Sequence, residues 1–202
     1  MVYALLAIGS YLLGSVPFGV VVAKARGIDI MAVGSGNTGA TNVARVLGWK
    51  LGLLVFVLDV LKGVVPCVVT RMVTGSEELT ILMGVVAVVG HTFSPFLRFK
   101  GGKGVATSLG VLFGAAPLAG AVALGVFLVL FGITRIVSVS SLVAALAVLV
   151  AGWFLGQPWF FFAVFGPLTV YLFVRHRANI GRLVRGEEPR LDLKKKKEGD
   201  EE

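Results

Sequence analysis

The stretch VATSLGVLFGAAPLAGAVALGVFLVLFGI, Val105 to Ile133, runs for 29 residues without a charged side chain. A helix that crosses a bilayer needs about 20 apolar residues. The stretch is therefore long for one span and short for two full ones. Its reading decides the fold, because one span more or fewer moves every later residue to the other side of the membrane.

The surrounding composition establishes the class. The chain has 202 residues, of which 56% are hydrophobic, and a mean hydropathy of +0.92. That is more apolar surface than a soluble core of this size could hide, so an all-α integral membrane protein is expected. Apolar runs place spans at about 3–22, 51–70, 79–97, 136–155 and 158–174. If the uncharged stretch splits near Gly114–Pro117 into two short helices, the total is seven. Segments 23–50, 98–103 and 134–135 then share a side with everything from Arg175 onward, and together hold 17 of the 19 Lys and Arg. Arg71 alone falls opposite, and Lys62 lies within a span. One long helix would instead set the basic C-terminal end against the other cationic loops, contrary to the positive-inside rule. The expectation is a seven-transmembrane-helix bundle with the N-terminus outside and the C-terminus and polar loops on the cytoplasmic face. The short helices before and after Pro117 need neighbours, since lipid offers a free backbone group no partner.

Several classes are excluded. The net charge of +8 and pI of about 10.0 come from residues set between apolar runs, which marks membrane orientation and not nucleic-acid binding. Cys67 is the sole cysteine, so there is no disulfide framework and no metal-ligand spacing. Met1-Val2-Tyr3 supplies no basic start for a cleaved signal, so the first span reads as retained. Residues 1–185 read as the membrane domain. Residues 186–202, with KKKK followed by EGDEE, read as a charged, disordered cytoplasmic tail without chemistry.

Three polar clusters fall on the predicted cytoplasmic face. In GHTFSPFLRFKGGKGVAT, Gly90 to Thr107, Arg98, Lys100 and Lys103 lie within six residues. Gly101, Gly102 and Gly104 leave the backbone N–H groups unshielded, and a helix from Val105 would aim its positive end at the same anion. It is not the nucleotide-binding GxxxxGK[ST] loop, because Gly104 follows the lysine. GSGNTGATN, Gly34 to Asn42, offers Ser35, Asn37, Thr41 and Asn42, and Arg45 adds a guanidinium fork suited to phosphate. RHRANIGRL, Arg175 to Leu183, sets His176 and Asn179 three apart, on one face if the helix continues. Plain readings stand beside these: headgroup anchors, turn formers and an inner-face anchor at Arg175. His91 fits packing or acid–base work. Asp59 and Lys62, three apart inside a span, fit a structural ion pair or a functional one equally.

SGNTGATN at 35–42, GHTFSPFLRFKGGKGVAT at 90–107 and HRANIGRLVRGEE at 176–188 resemble, in order and spacing, the three motifs of the acyl-phosphate-dependent glycerol-3-phosphate acyltransferases of bacterial membranes, the PlsY type. The resemblance extends from Gly14-Ser15-Val16-Pro17-Phe18-Gly19 onward. It implies transfer of an acyl group from acyl phosphate to the first hydroxyl of glycerol 3-phosphate, in the bacterial inner membrane, with seven spans and a cytoplasmic active site. It carries Ser35, Asn37, Thr41, Asn42, Arg45, His91, Lys103, His176, Arg177 and Asn179 as motif residues.

With that reaction, both substrates bring phosphate and the acyl chain needs lipid access. Ser35, Arg45, Lys103, His176 and Asn179 are the expected catalytic residues. Asn37, Thr41, Asn42, His91, Gly101, Gly102, Gly104 and Arg177 are the expected substrate-binding ones. No cofactor, metal or acyl-enzyme is expected, and the chain is expected to work as a monomer among membrane lipids. A transporter of a small phosphorylated anion and a lipid-binding scaffold are the competing readings.

Overall fold

The computed structural model describes residues 1–192. Among them there are ten α-helices and no strand: α1 (Val2–Ser15), α2 (Phe18–Lys24), α3 (Ala40–Leu47), α4 (Trp49–Thr74), α5 (Glu77–Thr92), α6 (Val105–Ala115), α7 (Pro117–Thr134), α8 (Val137–Phe154), α9 (Trp159–Arg175) and α10 (Arg177–Val184). Five stretches are long and apolar enough to cross a membrane: Val2–Lys24, α4, Glu77–Leu97, α7 and α8. A sixth results if α9 and α10, bent by 59° at His176, count as one span, and α6 is a shorter apolar helix. The uncharged stretch does break, at Ala116, where Pro117 opens α7 with its ring in the first turn.

Local chemistry explains the ends. Ser76 caps α5 by accepting from the Leu79 N–H at 3.1 Å, with Glu77 and Glu78 in the first turn. Gly75, at φ 67°, ends α4 in the left-handed region and donates to Arg71 O. The expected first span is kept as Val2–Lys24, but its helix is interrupted: Pro17 forces Val16 out of the helical region, and α1 stops at Ser15. The carbonyls at this break find partners across the bundle. Ser94 Oγ donates to Ser15 O at 2.7 Å, and Lys62 Nζ donates to Val16 O at 2.9 Å.

Packing between helices rests on small residues. A Cβ at Gly63 of α4 would fall 2.2 Å from Thr107 O, and one at Gly110 of α6 would fall 2.0 Å from Val60 O, so α4 and α6 touch backbone to backbone. This suits lipid, where close van der Waals contact replaces the hydrophobic drive. One core gathers Cys67, Val88, Val111, Leu112, Phe161 and Phe165. The other gathers Val20, Ala23, Ile30, Val43, Leu47 and Val55. The second core corrects the expectation of a plain loop over 23–50: α3 is an amphipathic helix that buries Val43 and Leu47.

The segment after α10 also differs from the expected solvated extension. Glu188 accepts from Ser138 Oγ at 2.7 Å, and buried Leu191 donates its N–H to Arg135 O at 2.8 Å. Residues 186–192 thus fold back onto the bundle. The rest of the predicted tail, 193–202, lies outside the described residues.

Candidate active site

The helix ends and loops around α3, α5, α6, α9 and α10 enclose a cleft of about 720 Å³. Ser35, Arg45, Lys103, His176 and Asn179, from three separated segments, all line it. Asn37, Thr41, Asn42, His91 and Gly104 line it as well. Gly101, Gly102 and Arg177 do not, and Arg177 is exposed.

In the first segment Asn42 is occupied by its own loop. Its Oδ1 accepts the Ser35 N–H at 2.8 Å, and its Nδ2 donates to Ile30 O and Val33 O. The residue is buried, so it shapes the loop that forms this part of the cleft wall. Asn37 Oδ1 likewise accepts from Gly39 N–H at 2.9 Å. Ser35, Thr41 and Arg45 line the cleft beside them.

The GGKG segment departs from the expected open phosphate loop. Gly101 N–H donates to Thr92 O at 2.9 Å and Gly102 N–H to His91 O at 3.2 Å. A Cβ at Gly102 would lie 2.2 Å from His91 Nε2, and one at Gly101 would lie 2.1 Å from His91 O. These two glycines therefore serve close packing on α5, and their N–H groups are used. On the opposite side Arg175 Nη2 donates to Gly101 O at 3.1 Å and Gly102 O at 3.0 Å. Gly104, at φ 86°, caps α6, whose first turn presents N–H groups and the positive dipole end beside Lys103. Burial lowers the Lys103 pKa to about 8, with Glu188 opposing the shift and Arg182, Arg175 and Arg45 reinforcing it.

The third segment joins the second through Asn179. Lys103 Nζ donates to Asn179 Oδ1, and Asn179 Nδ2 donates to Glu188 Oε1. An ammonium only donates and a carboxylate only accepts, so the amide can point one way alone. Glu188, its side chain 7% exposed, also pairs with Arg182 Nε at 2.7 Å. Burial pushes its carboxyl up, but the bonds from Asn179, Ser138 and Arg182 hold it below the usual range. His176 stands at the bend between α9 and α10, so the condition for a shared face with Asn179, a helix continuing through it, is not met. Its Nδ1 donates to Leu172 O at 2.8 Å, which leaves Nε2 as an acceptor in the neutral ring.

Asp59 and His91 form part of the cleft wall. Lys62 Nζ lies 2.7 Å from Asp59 Oδ1, and His91 Nδ1 is 3.8 Å from the same oxygen. The intramembrane pair is thus made, buried, and tied to the break before α2. Local sequence reading missed Asp59 with His91, Arg175, Ser138, Arg182 and Glu188 as one assembly. Glu188 carried a signal, since it lies within the quoted HRANIGRLVRGEE stretch. Among the described residues no three His, Cys, Asp or Glu side chains converge as metal ligands would.

An apolar cavity of about 70 Å³ adjoins the cleft, and Phe56, Val105, Phe127 and Ser141 belong to both. Leu109, Leu112 and Leu172 help to form its walls. A cationic, polar cleft thus shares a wall with an apolar cavity.

Comparison with known proteins agrees with this arrangement. The sequence model of the family described as glycerol-3-phosphate acyltransferase matches residues 4–186. The glycerol-3-phosphate acyltransferase of Anaeromyxobacter dehalogenans is 45% identical over 203 residues, covering 93% of this chain and 96% of the relative. That of Aquifex aeolicus is 46% identical over 193 residues, covering 92% and 97%. The crystal structure of PlsY, an integral membrane glycerol 3-phosphate acyltransferase, in its glycerol 3-phosphate form superimposes with a TM-score of 0.90 at 40% identity, covering 95% of this chain and 96% of that one. Its lysophosphatidic acid form gives 0.88, also at 40% identity, covering 96% and 97%. With matching motifs, helical membrane architecture and sequence along nearly its whole length, the chain belongs to the glycerol-3-phosphate acyltransferase family of integral membrane proteins.

Proposed function

We propose that this protein transfers a fatty acyl group from acyl phosphate to the 1-hydroxyl of glycerol 3-phosphate, releasing lysophosphatidic acid and phosphate. The observation that carries the reading is the adjacency of a cleft holding Arg45, Lys103, Arg175 and Arg182 to an apolar cavity. The cleft suits two phosphates, and the apolar side suits the end of an acyl chain nearest its carbonyl.

Acyl phosphate is a mixed anhydride with phosphate as its leaving group, so positioning and charge stabilisation suffice. Lys103 and the start of α6 hold one phosphate; Arg45 with Ser35 serves nearby phosphate oxygens. His176 Nε2 and Asn179 orient the acceptor. The hydroxyl oxygen attacks the acyl carbon, the bond from that carbon to the bridging phosphate oxygen breaks, and the hydroxyl proton passes to the departing phosphate. His176 positions the hydroxyl and the donor phosphate takes the proton. Cys67 is buried between α4 and α6, away from this path.

Seven spans, a cytoplasmic cleft and C-terminus, an outside N-terminus, a bacterial inner-membrane location and a monomeric working unit complete the proposal. The break at Ala116 and the grouping of 17 of the 19 cations support the topology. Single cysteines at exposed Arg26 and Glu78, in a Cys67→Ala background, should label from opposite sides of sealed vesicles. Labelling of both from one side would overturn the seven-span arrangement.

The decisive test of the reaction is turnover by purified protein with glycerol 3-phosphate and palmitoyl phosphate in EDTA, and separately with palmitoyl-CoA. Product from the acyl phosphate alone is expected. Product only from the CoA donor, a metal requirement, or an acylated protein trapped without acceptor would refute the mechanism.

A further inference from the structure

We infer that Arg175 is a positioning residue for the reaction, holding the Gly101 and Gly102 carbonyls so that Lys103 is presented to phosphate. The inference rests on the acyl-transfer reading for the identity of the substrates, though not for the geometry.

One guanidinium nitrogen takes two consecutive carbonyls, Gly101 O at 3.1 Å and Gly102 O at 3.0 Å. The N–H groups of the same two residues bind Thr92 O and His91 O on α5. Both glycines are therefore held from both sides, by α5 and by the end of α9. Glycine has more backbone freedom to lose than any other residue, so Lys103 hangs on a segment that without these ties would sample many conformations. The preceding Arg98 and Phe99 already sit at φ 50° and 62°, a conformation that persists only where surroundings impose it.

Arg175 does not behave as a headgroup anchor. Its guanidinium turns to the loop and the cleft, whereas Arg177, two residues on, is exposed. A tie to two carbonyls could also be made by a neutral amide. An arginine instead sets a second positive charge beside Lys103, in a cleft that holds Arg45 from α3, Arg182 from α10, His176 at the bend and the opposing Glu188. That charge draws in an anion and makes the Lys103 proton easier to lose. The same helix end also places His176, so one residue sets the spacing between the phosphate-binding lysine and the acceptor-binding histidine.

The experiment uses the full-length protein and inorganic phosphate as probe, titrated from about pH 6.5 to 9.5, with steady-state kinetics alongside. In R175Q the phosphate affinity near pH 7 should fall about tenfold, the loss of charge-assisted contact and order at Lys103. Its alkaline limb should move to higher pH, because Lys103 loses a cationic neighbour. KM for glycerol 3-phosphate should rise more than kcat falls. R175K, which keeps the charge on a shorter stem without the planar fork, should leave the limb in place and raise KM severalfold. Wild-type phosphate affinity in R175Q, a limb that stays or moves to lower pH, or a wild-type KM in R175K would each overturn the inference. If R175Q does not fold, the KM of R175K decides alone. Absence of acyl transfer in the wild type, with these phosphate shifts intact, would sink the substrate reading and leave the positioning role standing.

Discussion

Lys103 and Asn179, 76 residues apart in the chain, meet ammonium to amide oxygen across the cleft. The contact joins the loop before α6 to the helix after the α9 bend, so two of the three polar segments form one unit of the cleft wall.

Removing either partner should cost activity by a similar, overlapping amount. Lys103→Ala and Asn179→Ala are each expected to reduce kcat/KM about ten- to hundredfold, corresponding to roughly 1.5–3 kcal/mol of charge-assisted hydrogen bonding. The double variant should lose less than the product of the two. Full multiplicativity in a double-mutant cycle would show that the residues act independently.

The depressed pKa of Lys103, about 8, gives a signed pH dependence. Below pH 8 the lysine carries its proton and attracts phosphate. Above it, kcat/KM should fall by up to about tenfold per pH unit, since this ratio reports the free enzyme. For folding the sign is opposite: the charged form is disfavoured in the native state, so that penalty is full below about pH 8 and is relieved as pH rises toward 10.5, its unshifted value. Lys103→Arg, if active, should abolish the alkaline limb. A limb that survives in this variant belongs to another group.

Gly102→Ala should raise the KM for glycerol 3-phosphate, because its Cβ would lie 2.2 Å from His91 Nε2. Adding His91→Ala should restore part of the loss by vacating that space. If the double variant is worse than Gly102→Ala alone, His91 meets substrate and is more than the bed of the loop.

The buried pair of Asp59 and Lys62 should be costly to break and inexpensive to replace. Lys62→Met leaves an unpaired carboxylate and a bare Val16 carbonyl, and should cost about 3–5 kcal/mol. Asp59→Leu with Lys62→Met should recover most of that. Thermal unfolding in detergent measures both; a double variant as unstable as the single one would assign the loss to the Val16 tie.

The membrane class and the break near Pro117 were legible because each rests on an additive property of a segment: hydropathy, length and the side on which cations gather. The residues of the cleft were legible as types, since Lys, Arg, Ser and Asn beside glycine announce an anion. Their partners were not. Glycines 101 and 102 look like a phosphate cradle in sequence, yet the His91 ring and backbone occupy the space a side chain would need. That is a contact between α5 and a later loop which no local pattern records. The three loop bonds of Asn42 are likewise invisible in the local pattern. Arg175 reads as a headgroup anchor until α9 is bent. The α3 helix was hidden because its first turn is written in turn-forming residues, with its apolar face visible only once Val43 and Leu47 have a core to enter.

Helix α6 has 11 residues, a length of about 16 Å against a hydrocarbon thickness of about 30 Å. It cannot reach from one headgroup layer to the other, and the end that begins beside Lys103 is the one surrounded by the polar cleft. On the seven-span arrangement proposed above, the cleft is consequently a well sunk below the lipid surface. The proposed acceptor, a water-soluble phosphate ester, would then descend into it, while the acyl tail of the proposed donor would enter sideways at the depth where it already lies. Under the proposed reaction and topology, the shortness of one helix sets the meeting depth of two reactants that otherwise occupy different phases.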